Sequence, residues 1–245
     1  MSTIRNIRLT IEYDGANFAG WQRQARQRTV QGEIEKAIEN LTGEKVSLIA
    51  AGRTDAGAHA LGQVANFKTK LSLPLEKIRP ALNSLLPREI LIKRVEQVSL
   101  KFNTRRDAKS KVYRYRIFLG QTALQRNYLW PYRFAVNLTR LRQATRLISG
   151  KHDFTSFCVA KSKKESNICK IEKASWKKSG DILEFEIEGD RFLHSMVRIL
   201  VGTLLEVGRG KIMPREFERI LEAKDRRKAG KTVPAGGLYL VEVKF

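Results

Sequence analysis

Short segments with the periodicity of strands and of helices alternate along the chain, and this alternation constrains the fold most. Residues 8–13 alternate apolar and polar side chains with the period of two that is typical of a strand, and Asp14-Gly15 forms a turn pair after them. Apolar residues then recur at helical spacing through residues 30–41, and Gly43 stands where a C-cap is expected. A strand followed by a helix therefore opens the chain.

The same mixture continues to the last residues. For the first half, the patterns predict further strands at 46–51, 63–67 and 90–98 and a helix at 75–86. For the second half, they predict strands at 112–119, 171–176, 182–187 and 238–243, and helices at 138–148, at 191–207 and from Pro214 onward. Short turns between strands, with helices added at intervals, favour the α+β class with mainly antiparallel sheets. We therefore expect two α+β halves, residues 1–105 and 106–245.

The charge of the chain indicates the kind of partner. Its 245 residues include 47 Lys and Arg against 25 Asp and Glu, which gives a net charge of +22. Such an excess fits a polyanion, and a phosphate backbone is the commonest one because each neutralised phosphate releases condensed counterions. A basic surface without a specific partner is the alternative. An acidic membrane is a weaker one, because the basic residues are spread through the chain and do not flank an apolar segment.

The sequence contains no targeting segment that indicates secretion or membrane insertion, and no cysteine pattern that indicates disulfides or a zinc site. Residues 1–8 lack the apolar region of a signal peptide, and the most apolar stretch, residues 199–205, is too short to span a bilayer. We therefore expect a cytoplasmic protein without a membrane partner. Cys158 and Cys169 form no CxxC pair, so neither a disulfide framework nor a zinc site is supported.

The strongest local signal is the segment GRTDAGAHALGQV at residues 52–64, which joins two predicted strands and contains one acid, Asp55. Glycine lets the backbone turn freely and allows a substrate to approach closely, and Arg53 places a permanent cation near the carboxylate. A phosphate-binding P-loop is excluded because Ala58-His59 stand where lysine and serine or threonine are needed. A metal site built on Asp55 and His59 lacks a third ligand. An ordinary structural turn remains open.

Five separated motifs carry a resemblance to a known family. They are YDGANFAGWQRQ at 13–24, GRTDAGAHALGQVANF at 52–67, KVYRY at 111–115, FLHSMVR at 192–198 and PAGGLYL at 234–240. In this order they resemble the signatures of the tRNA pseudouridine synthase A family over nearly the whole chain. The departures are small, since Ala58 stands where the family usually has valine and Asn66 where another residue is common.

The resemblance implies the fold, the reaction and the partners. It implies the pseudouridine synthase fold, with two similar ferredoxin-like halves and an active cleft between them. It further implies an isomerase that converts uridine to pseudouridine at positions 38, 39 and 40 in the anticodon stem-loop of tRNA, without a cofactor or metal and as a homodimer. An RNA-binding or RNA-folding protein without catalysis, or a synthase for another RNA site, is the alternative.

The resemblance also implies roles for individual residues. Asp55 is then the catalytic carboxylate, acting as a nucleophile or as a base toward the ribose, and Arg53 helps to hold the flipped nucleotide. Arg198 pairs with Asp55 and keeps it ionised, Tyr113 stacks on the target uracil, and Leu238 covers the opposite face of the base. The alternatives are a surface salt bridge for Arg53, a salt bridge elsewhere for Arg198, and core packing for the strand residues. The charged segment 161–170 is expected to be an exposed loop, either solvated or in contact with RNA.

Overall fold

A computed structural model of the chain describes residues 3–159 and 166–245. Half of the charged segment at 161–170 that was expected to be an exposed loop, residues 161–165, therefore lies outside the described residues. The chain divides into two compact units, the first formed by Met1–Lys109 with Leu240–Phe245 and the second by Ser110–Tyr239. The division into α+β halves at 1–105 and 106–245 stays a prediction.

The first unit is an antiparallel sheet with helices. Its elements are β1 (Arg5–Tyr13), α1 (Val30–Thr42), β2 (Ile49–Ala50), β3 (His59–Thr69), α2 (Leu75–Leu85), β4 (Ile90–Val98), α3 (Thr104–Asp107) and the larger part of β10 (Leu238–Lys244). The strand order is β4-β1-β3-β10, and β2 pairs with β3. Both β3 and β4 run antiparallel to β1.

The alternation of apolar and polar side chains along β1 places its apolar residues in the core of this unit. Ile7, Leu9 and Ile11 are fully buried, while the residues between them are half-buried. Helix α1 begins where the side chain of Thr29 accepts a hydrogen bond from the amide of Gly32, and it ends at Gly43, whose φ of 71° is left-handed. The predicted C-cap is therefore confirmed.

The predicted strand at 46–51 is too long, because only Ile49–Ala50 form β2. The amide of Leu48 donates to a carboxylate oxygen of Glu35 at 2.9 Å. The amide of Leu48, a buried residue, is therefore bound to the side chain of Glu35 in α1 and is not available for hydrogen bonding to a neighbouring strand. A contact between distant residues, which periodicity does not report, sets this boundary.

The second unit also combines an antiparallel sheet with helices. Its elements are β5 (Ser110–Leu119), β6 (Trp130–Tyr132), α4 (Leu138–Arg146), β7 (Gly150–Asp153), β8 (Ile168–Ser179), β9 (Ile182–Gly189), α5 (Met196–Gly208), α6 (Pro214–Glu222) and the first residues of β10. Strands β5-β9-β8-β7 lie in this order as antiparallel neighbours, and the short β6 runs parallel to β5. The predicted α+β class with mainly antiparallel sheets is confirmed.

Helix α5 starts later than the periodicity predicts. The pattern extends from residue 191, whereas the helix begins at Met196, after Ser195 in a left-handed conformation with a φ of 57°. Residues before Ser195 therefore cannot continue the helix. Within the described part of the chain, no helix has the length and apolar character needed to cross a membrane.

Candidate active site

The loop that carries Asp55 lies between β2 and β3 in the first unit. Asp55 is half-buried, its neighbour Thr54 is buried, and Arg53 is exposed. The side-chain amide of Gln63 in β3 donates to the carbonyl of Gly52 at 2.9 Å, which fixes the start of the loop to the sheet. The structure thus places the acid at an accessible position on a loop that is anchored to the sheet.

Backbone hydrogen bonds from residues 18–21 hold both sides of Asp55. The amide of Trp21 donates to the carbonyl of Thr54 at 3.2 Å, and the amide of Gly57 donates to the carbonyl of Phe18 at 3.2 Å. Phe18 and Trp21 are themselves buried, as expected for structural residues. The motif at 13–24 therefore supports the Asp55 loop directly.

A buried pair of hydroxyl groups adds to this support. The hydroxyl oxygens of Tyr13 and Thr54 lie 2.8 Å apart. Burial raises the pKa of Tyr13 far above its ordinary value, and the hydrogen bonds to Thr54 and Gln63 offset only part of that effect. Tyr13 therefore stays protonated and acts as a neutral support for the loop.

Two glycines of the same motif approach the Asp55 loop closely. A Cβ at Gly20 would lie 2.8 Å from the carbonyl oxygen of Thr54 and 3.2 Å from the carbonyl carbon of Asp55, and Gly20 has a φ of 92°. A Cβ at Gly15 would overlap the carbonyl oxygen of Ala58. This role was not predicted from the sequence. The motif does contain a signal for it, because two glycines among aromatic residues mark a place where two backbone segments can come close together.

His59 has a structural contact next to the loop. The amide of Gly15 donates to Nδ1 of His59 at 3.1 Å, and Oδ1 of Asp14 lies 3.1 Å from the same nitrogen. Nδ1 of His59 therefore faces both the amide of Gly15 and the carboxylate of Asp14, which ties the ring to the motif at 13–24. Among the described residues, no group of three or more His, Cys, Asp or Glu side chains could hold a metal ion.

Tyr113 and Tyr115 lie on one face of β5 in the second unit. Both are buried, and the ring of Tyr113 meets that of Phe192 edge to face, with centroids 4.9 Å apart. The hydroxyl of Tyr115 donates to the carbonyl of Pro234 at 2.7 Å. Burial raises the pKa of Tyr115 strongly, and the positive charge of Arg198 opposes this. Tyr115 is thus a core residue whose hydroxyl group lies within the electrostatic influence of Arg198.

Arg198 lies in α5, whereas His194 precedes the helix. The predicted helix at 191–207 placed His194 and Arg198 on one helix at a spacing of four, and this placement is wrong. Nε of Arg198 donates to the carbonyl of Val233 at 2.7 Å, which fixes the orientation of the guanidinium plane. Leu238 is buried at the start of β10, directly after a short 3-10 helix at Ala235–Gly237.

The candidate residues are divided between the two units. Arg53 and Asp55 share one loop of the first unit, and Tyr113, Arg198 and Leu238 belong to the second unit. The pairing of Arg198 with Asp55 and the contacts of Tyr113 and Leu238 with a base stay predictions.

A strongly basic α+β chain with a carboxylate on a firmly supported loop has the features of an RNA-modifying enzyme. A family model described as tRNA pseudouridine synthase matches residues 9–105 and 144–245. The chain belongs to this family, whose members are isomerases. The resemblance found in the sequence motifs is confirmed.

Curated relatives match the chain from end to end. A tRNA pseudouridine synthase A from Acetivibrio thermocellus is 46% identical over 244 residues, covering 99% of this chain and 100% of the relative. The proteins of the same name from Caldicellulosiruptor saccharolyticus and Clostridium acetobutylicum are 45% and 46% identical over the same shares. A chain in a crystal structure of a Cbf5-Nop10-Gar1 complex matches with a TM-score of 0.34 at 10% identity, covering 96% of this chain and 56% of that chain.

Proposed function

We propose that this chain converts uridine to pseudouridine at positions 38, 39 and 40 in the anticodon stem-loop of tRNA, with Asp55 as the catalytic carboxylate. The observation that carries the proposal is the end-to-end similarity to proteins named tRNA pseudouridine synthase A. The matched family segments include both Asp55 and Arg198. The basic composition, with a net charge of +22, supports a polyanionic substrate.

The reaction is an isomerisation, so its atoms balance without another reactant. The bond between N1 of uracil and C1′ of ribose breaks, the uracil turns, and a new bond joins C5 to C1′. One hydrogen leaves C5 and one is gained at N1. The protein must therefore hold a detached base next to the ribose and supply a carboxylate that acts as a nucleophile or as a base.

The surroundings of Asp55 support its role. Its carboxylate stands on a loop whose neighbouring carbonyl and amide groups are bound by the backbone of Phe18 and Trp21. A fixed backbone limits the positions that the carboxylate reaches, and correct placement of a reacting group is worth several kcal/mol of barrier. We assign the nucleophilic step to Asp55.

Four further residues complete the proposed site. Arg53 is exposed and lies two residues before Asp55 in the sequence. An exposed cation there can bind the phosphate of the flipped nucleotide, or it can occupy the position in the stem that the flipped nucleotide leaves. Arg198, oriented by Val233, supplies the cation that pairs with the carboxylate of Asp55. Tyr113 stacks on the detached uracil, and Leu238 covers its other face.

We infer further that the enzyme works in the cytoplasm as a homodimer that binds the anticodon arm of tRNA. This extends the resemblance to the family and the excess of positive charge. Sedimentation equilibrium of the purified protein tests the dimer, and a mass equal to one chain at all concentrations contradicts it.

Chemical mapping of pseudouridine tests the function directly. Unmodified tRNAs that carry uridine at position 38, 39 or 40 are incubated with purified protein, together with matched tRNAs in which that uridine is replaced by cytidine. We expect conversion at each of the three positions and no conversion elsewhere.

Other outcomes separate the remaining hypotheses. Modification only outside the anticodon arm indicates a synthase for a different RNA site. Tight binding without any pseudouridine indicates an RNA-binding protein without catalysis.

A further inference from the structure

An exposed aromatic ring backed by a cation lies in the second unit, just before α4. Phe134 is 52% exposed, although it is a large apolar residue. The guanidinium of Arg209, directly after α5, lies 3.7 Å from the centroid of its ring, and Tyr132 meets the ring edge to face at 5.5 Å. Phe134 is therefore held in a defined orientation while much of its surface faces solvent.

Further basic residues lie close to Arg209 or to Phe134. Glu206 pairs with Arg209 at 3.0 Å and with Lys211 at 3.8 Å. A Cβ at Gly210 would overlap Nη1 of Arg140, so the guanidinium of Arg140 lies against the backbone beside Arg209. Arg133 is exposed next to Phe134 in the sequence. One cation thus lies over the ring, and three more basic residues and one carboxylate lie next to Arg209 or Phe134.

We propose that this surface, formed by Arg133, Phe134, Arg140, Arg209 and Lys211 and called here the Phe134 surface, binds RNA outside the nucleotide that reacts. The proposal rests on the proposed function, because it adds a second contact to the same substrate. Phe134 stacks on an unpaired base or a ribose, and the cations hold the adjacent phosphates. Stacking on an aromatic ring combined with positive charge is the usual means of binding unpaired nucleic acid without reading its sequence.

The Phe134 surface is separate from the residues proposed to contact the reacting uridine. Arg198 lies in α5 and Arg209 follows its last residue, so the two are 11 residues apart, which is about three helical turns or roughly 16 Å. One nucleotide does not bridge that distance. The surface therefore contacts a different part of the RNA.

A second copy of this chain fits the Phe134 surface less well than RNA does. In a symmetric dimer the same patch is present on both partners, so a contact through this surface would place its cations near one another. The whole chain also has a net charge of +22, which adds to the repulsion. The charge of the surface thus favours a polyanion.

Equilibrium binding of unmodified tRNA tests the proposal with the full-length protein. The Phe134→Leu variant keeps an apolar side chain but removes the ring, and we expect the Kd to rise roughly five- to hundredfold. Since the lost contact holds substrate and transition state equally, kcat at saturating tRNA should stay within about twofold while KM rises. Leu124→Ala is the matched control, because Leu124 is 93% exposed in the same unit and belongs to neither site.

The contribution of the cations is measured by salt dependence. The double variant Arg140→Gln and Lys211→Gln should reduce the slope of log K against log salt by about 1 to 2. Thermal unfolding of each variant near the wild-type temperature shows that the fold is intact.

Two outcomes overturn the proposal. One is that Phe134→Leu binds tRNA as tightly as the wild type. The other is that this variant changes the oligomeric state in sedimentation while its affinity for tRNA is unchanged, which makes the surface an interface between copies. Failure of the proposed function appears differently, as a wild-type protein that binds tRNA but leaves its uridines unconverted.

Discussion

Gly20 meets two requirements that no other residue type meets at once. Its φ of 92° lies in a region that side chains rarely adopt, and its α-carbon faces the backbone of Thr54 and Asp55 at close range. A methyl group there has to displace either the segment around residue 20 or the Asp55 loop. The position of the carboxylate therefore depends on a glycine about 35 residues earlier in the sequence.

The variant Gly20→Ala should lower kcat by at least roughly tenfold, because displacement of a catalytic group by about 1 Å is costly. Gly43→Ala is the matched control. Gly43 also has a positive φ, 71°, but a Cβ there would meet nothing within 4 Å. Gly43→Ala should lose about 1–2 kcal/mol of stability from backbone strain, and Gly20→Ala should lose more because its methyl group also clashes with the Asp55 loop, as measured by urea unfolding. Equal kcat values for the two variants would show that the close approach of Gly20 does not position the loop.

Among the elements, the segment after α6 holds Arg198 in place within the second unit. The amide of Asp225 donates to the hydroxyl of Ser156 at 2.9 Å, and the chain then continues to Val233, whose carbonyl binds Arg198. The carboxylate of Asp225 in turn accepts hydrogen bonds from the side chain and the amide of Arg227. This ion pair, in which Arg227 is exposed and Asp225 is half-buried, shapes the first turn of the segment.

The ion pair predicts a pH dependence. The side-chain hydrogen bonds of Arg227, followed by its backbone amide, lower the pKa of Asp225 from 3.8 to about 2. Because the folded-state pKa is depressed, the stabilisation is complete above pH 4 and is lost as the pH falls from about 4 toward 2. NMR titration of the Asp225 carboxyl carbon should give a midpoint near 2, and the midpoint should rise in Arg227→Gln. A wild-type midpoint of 3.8 would rule out the ion pair in solution.

Elements fixed by local chemistry could be predicted from the sequence. Helix α1 was expected at 30–41 and spans Val30–Thr42, because Thr29 and Gly43 cap it through their own backbone and side-chain chemistry. The start of α5 and the length of β2 could not be predicted. They depend on the left-handed Ser195 and on the bond between Leu48 and Glu35, which the periodicity of the sequence does not report.

The same distinction holds for the candidate site. Motif resemblance nominated Asp55, Arg53, Tyr113, Arg198 and Leu238 as candidates because short motifs keep chemistry-bearing residues in a fixed order, and their roles stay predictions. The support of the Asp55 loop by Gly20 and Tyr13 was not predicted, because it joins residues about 35 to 41 positions apart through backbone contact and a buried hydroxyl pair. The pattern of strands and helices does not determine such contacts.

For the whole molecule, the net charge of +22 predicts a strong effect of salt on tRNA binding. If 6–10 phosphates are contacted, affinity should fall by about 10³- to 10⁵-fold between 50 and 200 mM salt. Filter binding with the Asp55→Asn variant measures affinity without turnover. Affinity that is constant over this range would mean that the positive charge does not contact phosphates.

The central claim is that Asp55 is the catalytic carboxylate. Single-turnover conversion of unmodified tRNA by the wild type and by Asp55→Asn tests it most directly. Asparagine keeps the shape of the side chain but lacks the negative charge and the nucleophilic oxygen pair. We predict that Asp55→Asn binds tRNA with an affinity close to that of the wild type and forms pseudouridine at least roughly a thousandfold more slowly. Conversion by Asp55→Asn at the wild-type rate would contradict the account.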